Sequence, residues 1–402
     1  MRTVRWLSWA AAVAAAVAGA GCGNSSSSSS SAAPPPATST GAISMVIESI
    51  TLPDPASLGT AGGQQRPVVR FHVTDNTTGQ PINMNTEIGA SLSNPKGIPN
   101  SVPKFTLAQR DDRNDYRSYY ASTAQPKPYT VPEGLFAPPT SPQLQASAVP
   151  GTWSLGDLKD VGGGSFEVTL PATNQTGFDR NKTHTVAGWT VRSNGTADAD
   201  VSQTSLDFVP SGVGTVTQYQ TITDDRCNQC HGFVQAHGTR RGVNLCITCH
   251  NPFTGDPETS RTVDFKVMIH KIHSGSTLPS VQQGKGYFIV GFNQTVADFS
   301  DVVFPYHNHG VAHCTVCHSG GAQSDNWSKI PTQNVCTSCH DNVQFSGTFD
   351  PCATGTTFAA NPNDCLHRGG PITISDSRDP NACLGCHGPG TAAAIDKFHH
   401  GD

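Results

Sequence analysis

Charge is scarce in this sequence. Only 14% of its 402 residues are Asp, Glu, Lys or Arg, against roughly a quarter in an ordinary soluble protein. The formal net charge is −5, which excludes the strongly basic surface of a typical nucleic-acid-binding domain. Beyond residue 20 there is no long apolar run, which excludes a polytopic membrane protein. With 40 glycines and 29 prolines, a long helical bundle or a coiled coil is excluded as well, and turns and short strands are favoured. Cysteine is missing altogether between Cys22 and Cys227. What is abundant is the opposite of these absences: 13 cysteines and 16 histidines, almost all of them in one half of the chain.

The chain opens on a basic stretch, Met1 to Arg5, followed by an apolar segment from Trp6 to Ala20. That segment is short for a bilayer span and has the length of a secretory apolar core, so residues 1–21 read as a signal peptide. Two processing outcomes fit its end. Ala18-Gly19-Ala20 has the small-x-small pattern of a cleavage site that would release a soluble exported protein. Cys22 instead has the setting of a lipidated cysteine, with Gly19-Ala20-Gly21 before it and Gly23, Asn24 and a serine run after it. Gly19 stands where such signals usually carry Leu. Lipidation is the preferred reading, because the Ser- and Pro-rich residues 22–41 suit a flexible tether and otherwise leave the thiol without a role.

Residues 42–223 change to short runs with alternating polarity, separated by turn residues. Examples are Ser44–Ile50, Pro67–Val73, Ser165–Leu170, Thr185–Val191 and Gly214–Gln220. Several strands with no helical stretch between them predict a β-sandwich, Ig-like in type, or a small barrel. His72 and His184 fall in or beside these strands and read as ordinary surface or half-buried residues.

At Asp224 the character changes again. Residues 224–402 hold every cysteine except Cys22 and 14 of the 16 histidines. Ten of the 13 cysteines occur as Cys-x-x-Cys, and a histidine follows each pair at once. The five copies are Cys227/Cys230/His231, Cys246/Cys249/His250, Cys314/Cys317/His318, Cys336/Cys339/His340 and Cys383/Cys386/His387. In a covalent haem site the two thiols add across the two vinyl groups and the adjacent imidazole binds the iron. Zinc ribbons are a competing reading, since 15 residues separate Cys230 from Cys246 and 18 separate Cys317 from Cys336. Disulfide or redox-active Cys-x-x-Cys is another. The histidine decides among them. With 16 His in 402 residues, five of five pairs gaining one by chance has a probability on the order of 10⁻⁷, and neither zinc nor dithiol chemistry requires it. Five covalent haems c in about 180 residues must pack closely, and their macrocycles supply the core that the short apolar runs cannot. This half is therefore expected to be a loop-rich, sparsely helical pentahaem cytochrome domain.

Five proximal histidines leave nine others in this half. His237 is too close in sequence to His231 to reach the far face of the same haem, and is assigned to a neighbouring one. Val267–His273 reads as a helix that puts His270 and His273 on one face, where they can cap two different haems. His367 and one of His399 or His400 complete five distal ligands. His307, His309 and His313 lie in a Pro-, Asn- and Gly-containing loop and read as surface residues. Imidazoles on both faces saturate an iron, which favours electron transfer over catalysis, so no catalytic residue is assigned. Cys352 and Cys365 belong to no haem motif and read as a disulfide.

These residues resemble the outer-membrane multihaem cytochromes of metal-respiring bacteria, the OmcA/MtrC type. The resemblance covers about residues 225–402. It is carried by Cys227–Gly232 with His237-Gly238, Cys246–Pro252, Val263–His273, Asp325–Trp327 and Cys383–Pro389. It implies bis-His haems, lipid anchoring on the outer face of the cell, and electron delivery to metal oxides or soluble shuttles. As partners it implies other multihaem cytochromes or an outer-membrane porin–cytochrome complex. Members usually carry ten haems as two β-domain plus pentahaem halves, of which this chain has one. Their β-domains often hold a close cysteine pair, and none exists in residues 42–223, so no redox switching is expected there. A periplasmic or secreted location is the alternative to the outer membrane. A nitrite, sulfur-oxyanion or metal-oxide reductase with one open haem, and a structural or filament cytochrome, are the alternative functions. Cys22→Ser is expected to move the protein from the membrane fraction to the soluble fraction; continued membrane association would overturn lipidation.

Overall fold

The computed structural model describes residues 43–52, 66–87, 103–130, 141–151, 157–172, 177–192, 200–305, 310–345, 365–367 and 374–399. Cys22, Cys352, His307, His309 and His400 lie outside the described residues, and of Cys365 only the backbone is described.

The first half folds as two antiparallel sheets of four strands. β1 (Ile43–Thr51), β2 (Val68–Asp75), β7 (Leu158–Gly162) and β8 (Ser165–Thr169) form one, in the order β1-β2-β8-β7. β3 (Lys104–Arg110), β4 (Tyr116–Ser118), β9 (His184–Arg192) and β10 (Asp200–Phe208) form the other, in the order β10-β9-β3-β4. β5 (Ala121–Ala124) and β6 (Gln143–Ala146) pair with each other as a separate ribbon. The period-two pattern decides which side chains meet between the two sheets. Ile43, Met45 and Ile47 of β1, Val69, Phe71 and Val73 of β2, and Phe166 and Val168 of β8 share one core with Phe105, Leu107 and Val186 of the second sheet. Phe71 and Phe105 meet across the sheets edge-on, centroids 5.4 Å apart, the arrangement favoured by the ring quadrupoles. Gly188 makes this packing possible, since a Cβ there would stand 2.9 Å from the Phe105 ring and 3.1 Å from the Met45 methyl.

Two expectations for this half are corrected. Gly214–Gln220 forms no strand. Its amides bond to side chains instead of a neighbouring ladder: Thr217 N–H to Thr183 Oγ1 at 3.1 Å and Gln220 N–H to Gln323 Oε1 at 3.0 Å. His184 is fully buried rather than exposed or half-buried. It stacks on Tyr119 and packs against the tilted rings of Phe178 and Phe208, with Tyr119 Oη 2.7 Å from Nε2 and the Lys182 carbonyl 3.0 Å from Nδ1. Burial pushes its pKa down to about 4, so the ring is neutral and both nitrogens are satisfied.

The principal helices of the second half are short: α1 (Asp224–His231), α2 (Val243–Cys249), α3 (Phe265–Ser274), α4 (Gln333–Cys339) and α5 (Asn381–His387). α2 packs on the outer face of the second sheet. Val243 and Ile247 bury against Ala108 and Tyr116, Leu245 against Ala187 and Trp189, and Thr106 Oγ1 meets Thr248 Oγ1 at 2.7 Å. Full burial of one such aliphatic side chain contributes about 1.5–3 kcal/mol. This contact explains why β9 is buried at seven successive positions, His184 to Thr190: one face looks into the sheet core and the other onto α2. Gly242, at φ 82°, precedes the helix where a Cβ would stand 2.1 Å from Gln203 Nε2.

A second seam is ionic. Asp115, its side chain 1% exposed, pairs with Lys266 of α3 and lies 3.5 Å from Arg378, just before α5. Arg378 also reaches Asp376 at 3.1 Å and Asp111 at 3.6 Å. Asp264 caps α3 by accepting from Lys266 N–H at 3.3 Å. It is buried without a cation of its own, and burial pushes its carboxyl up to about 6, with Asp115 adding and Lys266 and Arg378 opposing. Between roughly pH 4, where an unfolded Asp titrates, and pH 6, the folded chain binds the extra proton. The stability that Asp264 contributes therefore falls as pH rises through this window and levels off above it, by on the order of 3 kcal/mol. Asp264→Asn retains a capping side chain and is expected to flatten that slope in urea unfolding followed across the window; an unchanged slope would exclude Asp264 as its source.

Candidate haem sites

Each Cys-x-x-Cys-His segment folds as a single tight turn of helix. Four lie on α1, α2, α4 and α5 or at their C-terminal ends, and the third forms a 3-10 turn, Cys314–Val316. Cysteines three apart on a helical turn share a face. The histidine amide closes the turn onto the first cysteine's carbonyl in three copies: His250 to Cys246 at 2.8 Å, His318 to Cys314 at 2.8 Å and His340 to Cys336 at 2.9 Å. Thiols and imidazole are thus delivered by one local structure.

Every one of the five motif histidines faces a second histidine from elsewhere in the chain. The ring centroids are separated by 5.9 Å for His231 and His273, 5.8 Å for His250 and His237, 6.1 Å for His318 and His270, 6.1 Å for His340 and His399, and 5.8 Å for His387 and His367. Two imidazoles binding one metal from opposite sides, each through a bond of about 2.0 Å to a nitrogen roughly 1 Å from its ring centre, sit about 6 Å apart. All five pairs have this spacing. α3 contributes two of the partner rings, His270 and His273, to two different motifs. His399 faces His340; His400 lies outside the described residues. His313 lies at the start of the Cys314–Val316 turn.

Ring orientation is set from behind. A backbone carbonyl meets Nδ1 of His250 (Val263 O, 3.0 Å), His273 (Ile269 O, 2.9 Å), His387 (Ala393 O, 2.9 Å) and His399 (Ile395 O, 3.3 Å). A carbonyl requires an N–H there, which places the lone pair on Nε2. Burial pushes His250 and His270 down to about 4 and lowers His237, His273, His318 and His340, so these rings are neutral and available as ligands. Aromatic faces pack some of the partner rings: Phe304 lies 5.7 Å from His273 and Phe345 5.3 Å from His367. Neither contact leaves a signal in the sequence, because both join segments far apart in the chain.

Most of the cysteines fit the same reading. Burial pushes Cys246 up to about 12 and Cys227, Cys314 and Cys336 up to about 11. Reactive Cys-x-x-Cys thiols are instead depressed below their free value of about 8.5. None of the ten motif thiols is joined in a disulfide. Among the described residues no three His, Cys, Asp or Glu side chains converge on a common point, whereas a structural zinc site draws four ligands together.

The ten motif thiols differ in exposure. Cys230 and Cys386 are exposed, whereas the other eight motif cysteines are buried or half-buried. Each is the second cysteine of its motif, and the reason lies in its helix. α1 buries no residue, and α5 buries only Cys383, so no protein segment covers the outer side of either turn. Cys386 is nonetheless fixed by its backbone, since its carbonyl accepts from Thr391 Oγ1 at 2.5 Å. A thioether needs the two thiols on one face of a turn rather than both of them buried, and the three-residue spacing provides that face. The donor set remains that of a multihaem c-type cytochrome: paired thiols on one turn, and imidazoles opposed across gaps.

Comparison with known proteins shows which family this set is similar to. Residues 219–400 match the description of outer membrane cytochromes of the MtrC/MtrF-like type, domains II/IV. The multiheme cytochrome MtrC of Shewanella baltica (strain OS185) is 27% identical over 152 residues, which is 36% of this chain and 18% of that protein. The crystal structure of the outer membrane decaheme cytochrome OmcA superposes with a TM-score of 0.63 at 19% identity, over 89% of this chain and 48% of that one. The chain thus spans about half of the OmcA chain and under a fifth of MtrC. Its cysteine-rich part is similar to the OmcA/MtrC-type outer-membrane multihaem cytochromes.

Proposed function

We propose that this chain is an electron-transfer protein that relays electrons along five bis-His haems c at the outer surface of the cell. The observation that carries this reading is the five ring pairs, each at about the separation that one iron demands. In each site Cys-x-x-Cys would hold the macrocycle through thioethers, and the following histidine together with His273, His237, His270, His399 or His367 would supply imidazole ligands to the iron. A bound haem supplies a one-electron Fe(III)/Fe(II) couple. The protein's own part is to orient the two imidazoles of each site and to leave no coordination position open to a substrate. That closed coordination favours a relay over a reductase.

The cysteines support an order for the relay. The Cys246 thiol feels Cys227, Cys227 feels Cys317, Cys317 feels Cys230, Cys314 feels Cys339, and Cys336 feels Cys383. Ser274, next to His273, also donates to Cys339 Sγ at 3.3 Å. The attachment points thus adjoin in the order second, first, third, fourth, fifth motif.

In the same proposal, residues 42–223 are an Ig-like β-sandwich carrying the haem domain of residues 224–402. Lipidated Cys22 tethers both to the outer membrane through residues 22–41, and Cys352 and Cys365 form a disulfide. Metal oxides or soluble shuttles are the acceptors. Another multihaem cytochrome or a porin–cytochrome complex is the partner.

Mass spectrometry of the purified protein is expected to show five covalent haems. Electron paramagnetic resonance of the oxidised form is expected to show low-spin iron alone; a high-spin component would argue for an open haem and a reductase. His270→Met is expected to raise the potential of one haem and leave haem content unchanged, because the thioethers are untouched. Loss of a haem in that variant would overturn the axial role of His270.

A further inference from the structure

The five ring pairs differ in how their rings are held from behind. In four of them one ring has a backbone carbonyl at Nδ1. These rings are His273 opposite His231, His250 opposite His237, His399 opposite His340, and His387 opposite His367. The pair of the third motif is the exception. Nδ1 of His318 and Nδ1 of His270 are both buried, and neither has a hydrogen-bond partner of normal geometry. The two ring planes are nonetheless only 29° apart, at a centroid separation of 6.1 Å. Other contacts must therefore place the segments that carry these two rings.

Both segments are bonded to one turn of the β half, residues 111–115 between β3 and β4. Asp111 Oδ1 accepts the N–H groups of Arg113 and Asp115, both at 2.9 Å, and the Asp111 N–H donates to the Asp115 carbonyl at 2.9 Å. Asn114 stands at φ 64°, in the left-handed region that Asn tolerates better than most residues. At the base of the turn, Arg110 pairs with Tyr116 across the two strands, and both side chains are buried. From this rigid turn Asn114 Nδ2 donates to Gln323 Oε1 at 2.8 Å, and Gln323 lies five residues after His318. The Gln323 N–H donates to the Gln220 carbonyl at 3.2 Å. Gly321 allows that approach, since a Cβ there would stand 2.1 Å from the same carbonyl. The next residue of the turn, Asp115, is 1% exposed and pairs with Lys266. Lys266 lies one helical turn before His270 on the same side of α3. Adjacent residues of one turn thus hold the segment of His318 and the helix of His270.

We propose that Asn114 and Asp115 position the two imidazoles of the third motif, doing from the β half what a backbone carbonyl does in the other four sites. The inference rests on the relay reading above. Neither residue touches a ring, and each acts through another side chain. A ring bonded at Nδ1 has its orientation fixed locally. Without that bond the ring follows its segment, and here the segment follows the turn.

The test is electron paramagnetic resonance of the oxidised full-length holoprotein. The lines of low-spin iron between two imidazoles depend on the angle between the ring planes, so each site reports its own geometry. His270→Met identifies the third set of lines, which it replaces. Asn114→Gly keeps the left-handed turn and deletes the amide. Lys266→Gln deletes the cation and leaves Asp115 facing Arg378, 3.5 Å away. Each is expected to displace the third set from its wild-type position and to leave the other four in place. The first set stays because His273 keeps its bond to the Ile269 carbonyl. Lys266→Arg, which keeps the cation, is expected to retain the wild-type lines. Lys182→Gln removes an exposed ion pair with Asp112 of the same turn and is expected to move no set. The positioning role is overturned if Asn114→Gly or Lys266→Gln leaves the third set unmoved or moves all five. It is overturned as well if Lys266→Arg shifts that set as far as Lys266→Gln does, or if Lys182→Gln shifts it too. Haem content and spin state are read on the same samples. Fewer than five haems, or a high-spin component in the wild type, overturns the relay reading itself. Five low-spin haems with a third set insensitive to the turn overturn only the role of Asn114 and Asp115.

Discussion

Two imidazoles held with their ring centroids about 6 Å apart are the unit on which the second half of this protein depends. Each pair closes a loop between segments that share few apolar contacts: α1 with α3, the segment around His237 with α2, α4 with the segment around His399. The segments alone bury little. α1 contains no buried residue at all, and α5 has one, which is why Cys230 and Cys386 reach the surface. In the proposed reading, a macrocycle held between each ring pair would supply the apolar contact that the side chains lack.

The β-sheets are more than a spacer. The second sheet is covered on both faces, by the first sheet on one side and by α2 on the other, so the position of the second motif is set by a rigid scaffold. β9 accordingly carries a nearly continuous buried run in place of simple alternation. The same seam traps Arg240 against Trp189. The scarce charges elsewhere follow a similar logic and lie where segments join: Asp115 with Lys266 and Arg378, and Lys271 with Asp341. Buried pairs of this kind are sensitive to the loss of one partner, because the other charge is then left uncompensated.

Much of the site was legible before the fold. A thiol pair with an adjacent histidine is a local motif, and its chemistry needs nothing beyond consecutive residues. His270 and His273 were legible as a helical pair because a spacing of three puts both on one face. The strands β1, β2 and β8 were legible from period-two alternation. Gly214–Gln220 has the same alternation without a strand, because its backbone found side-chain partners first. His184 reads as surface or half-buried from a lone polar residue in a strand, and its full burial depends on Tyr119 and the Lys182 carbonyl, which no local pattern announces. The five motifs look alike in sequence, yet Cys386 is exposed and Cys383 buried, because exposure depends on what packs against the turn and not on the turn itself.

By itself, then, the sequence determined which groups are present and how each motif folds on its own turn: ten thiols in pairs, five adjoining histidines, and a supply of further histidines. Which histidine faces which motif, the order in which the motifs adjoin, and which carboxylate meets which cation were decided by the tertiary structure. The physical reason is range. Covalent attachment and helical turns act over three or four residues, whereas ring opposition, ion pairing and stacking join residues such as His340 with His399, or Trp189 with Arg240, that only the folded chain brings within a few ångströms.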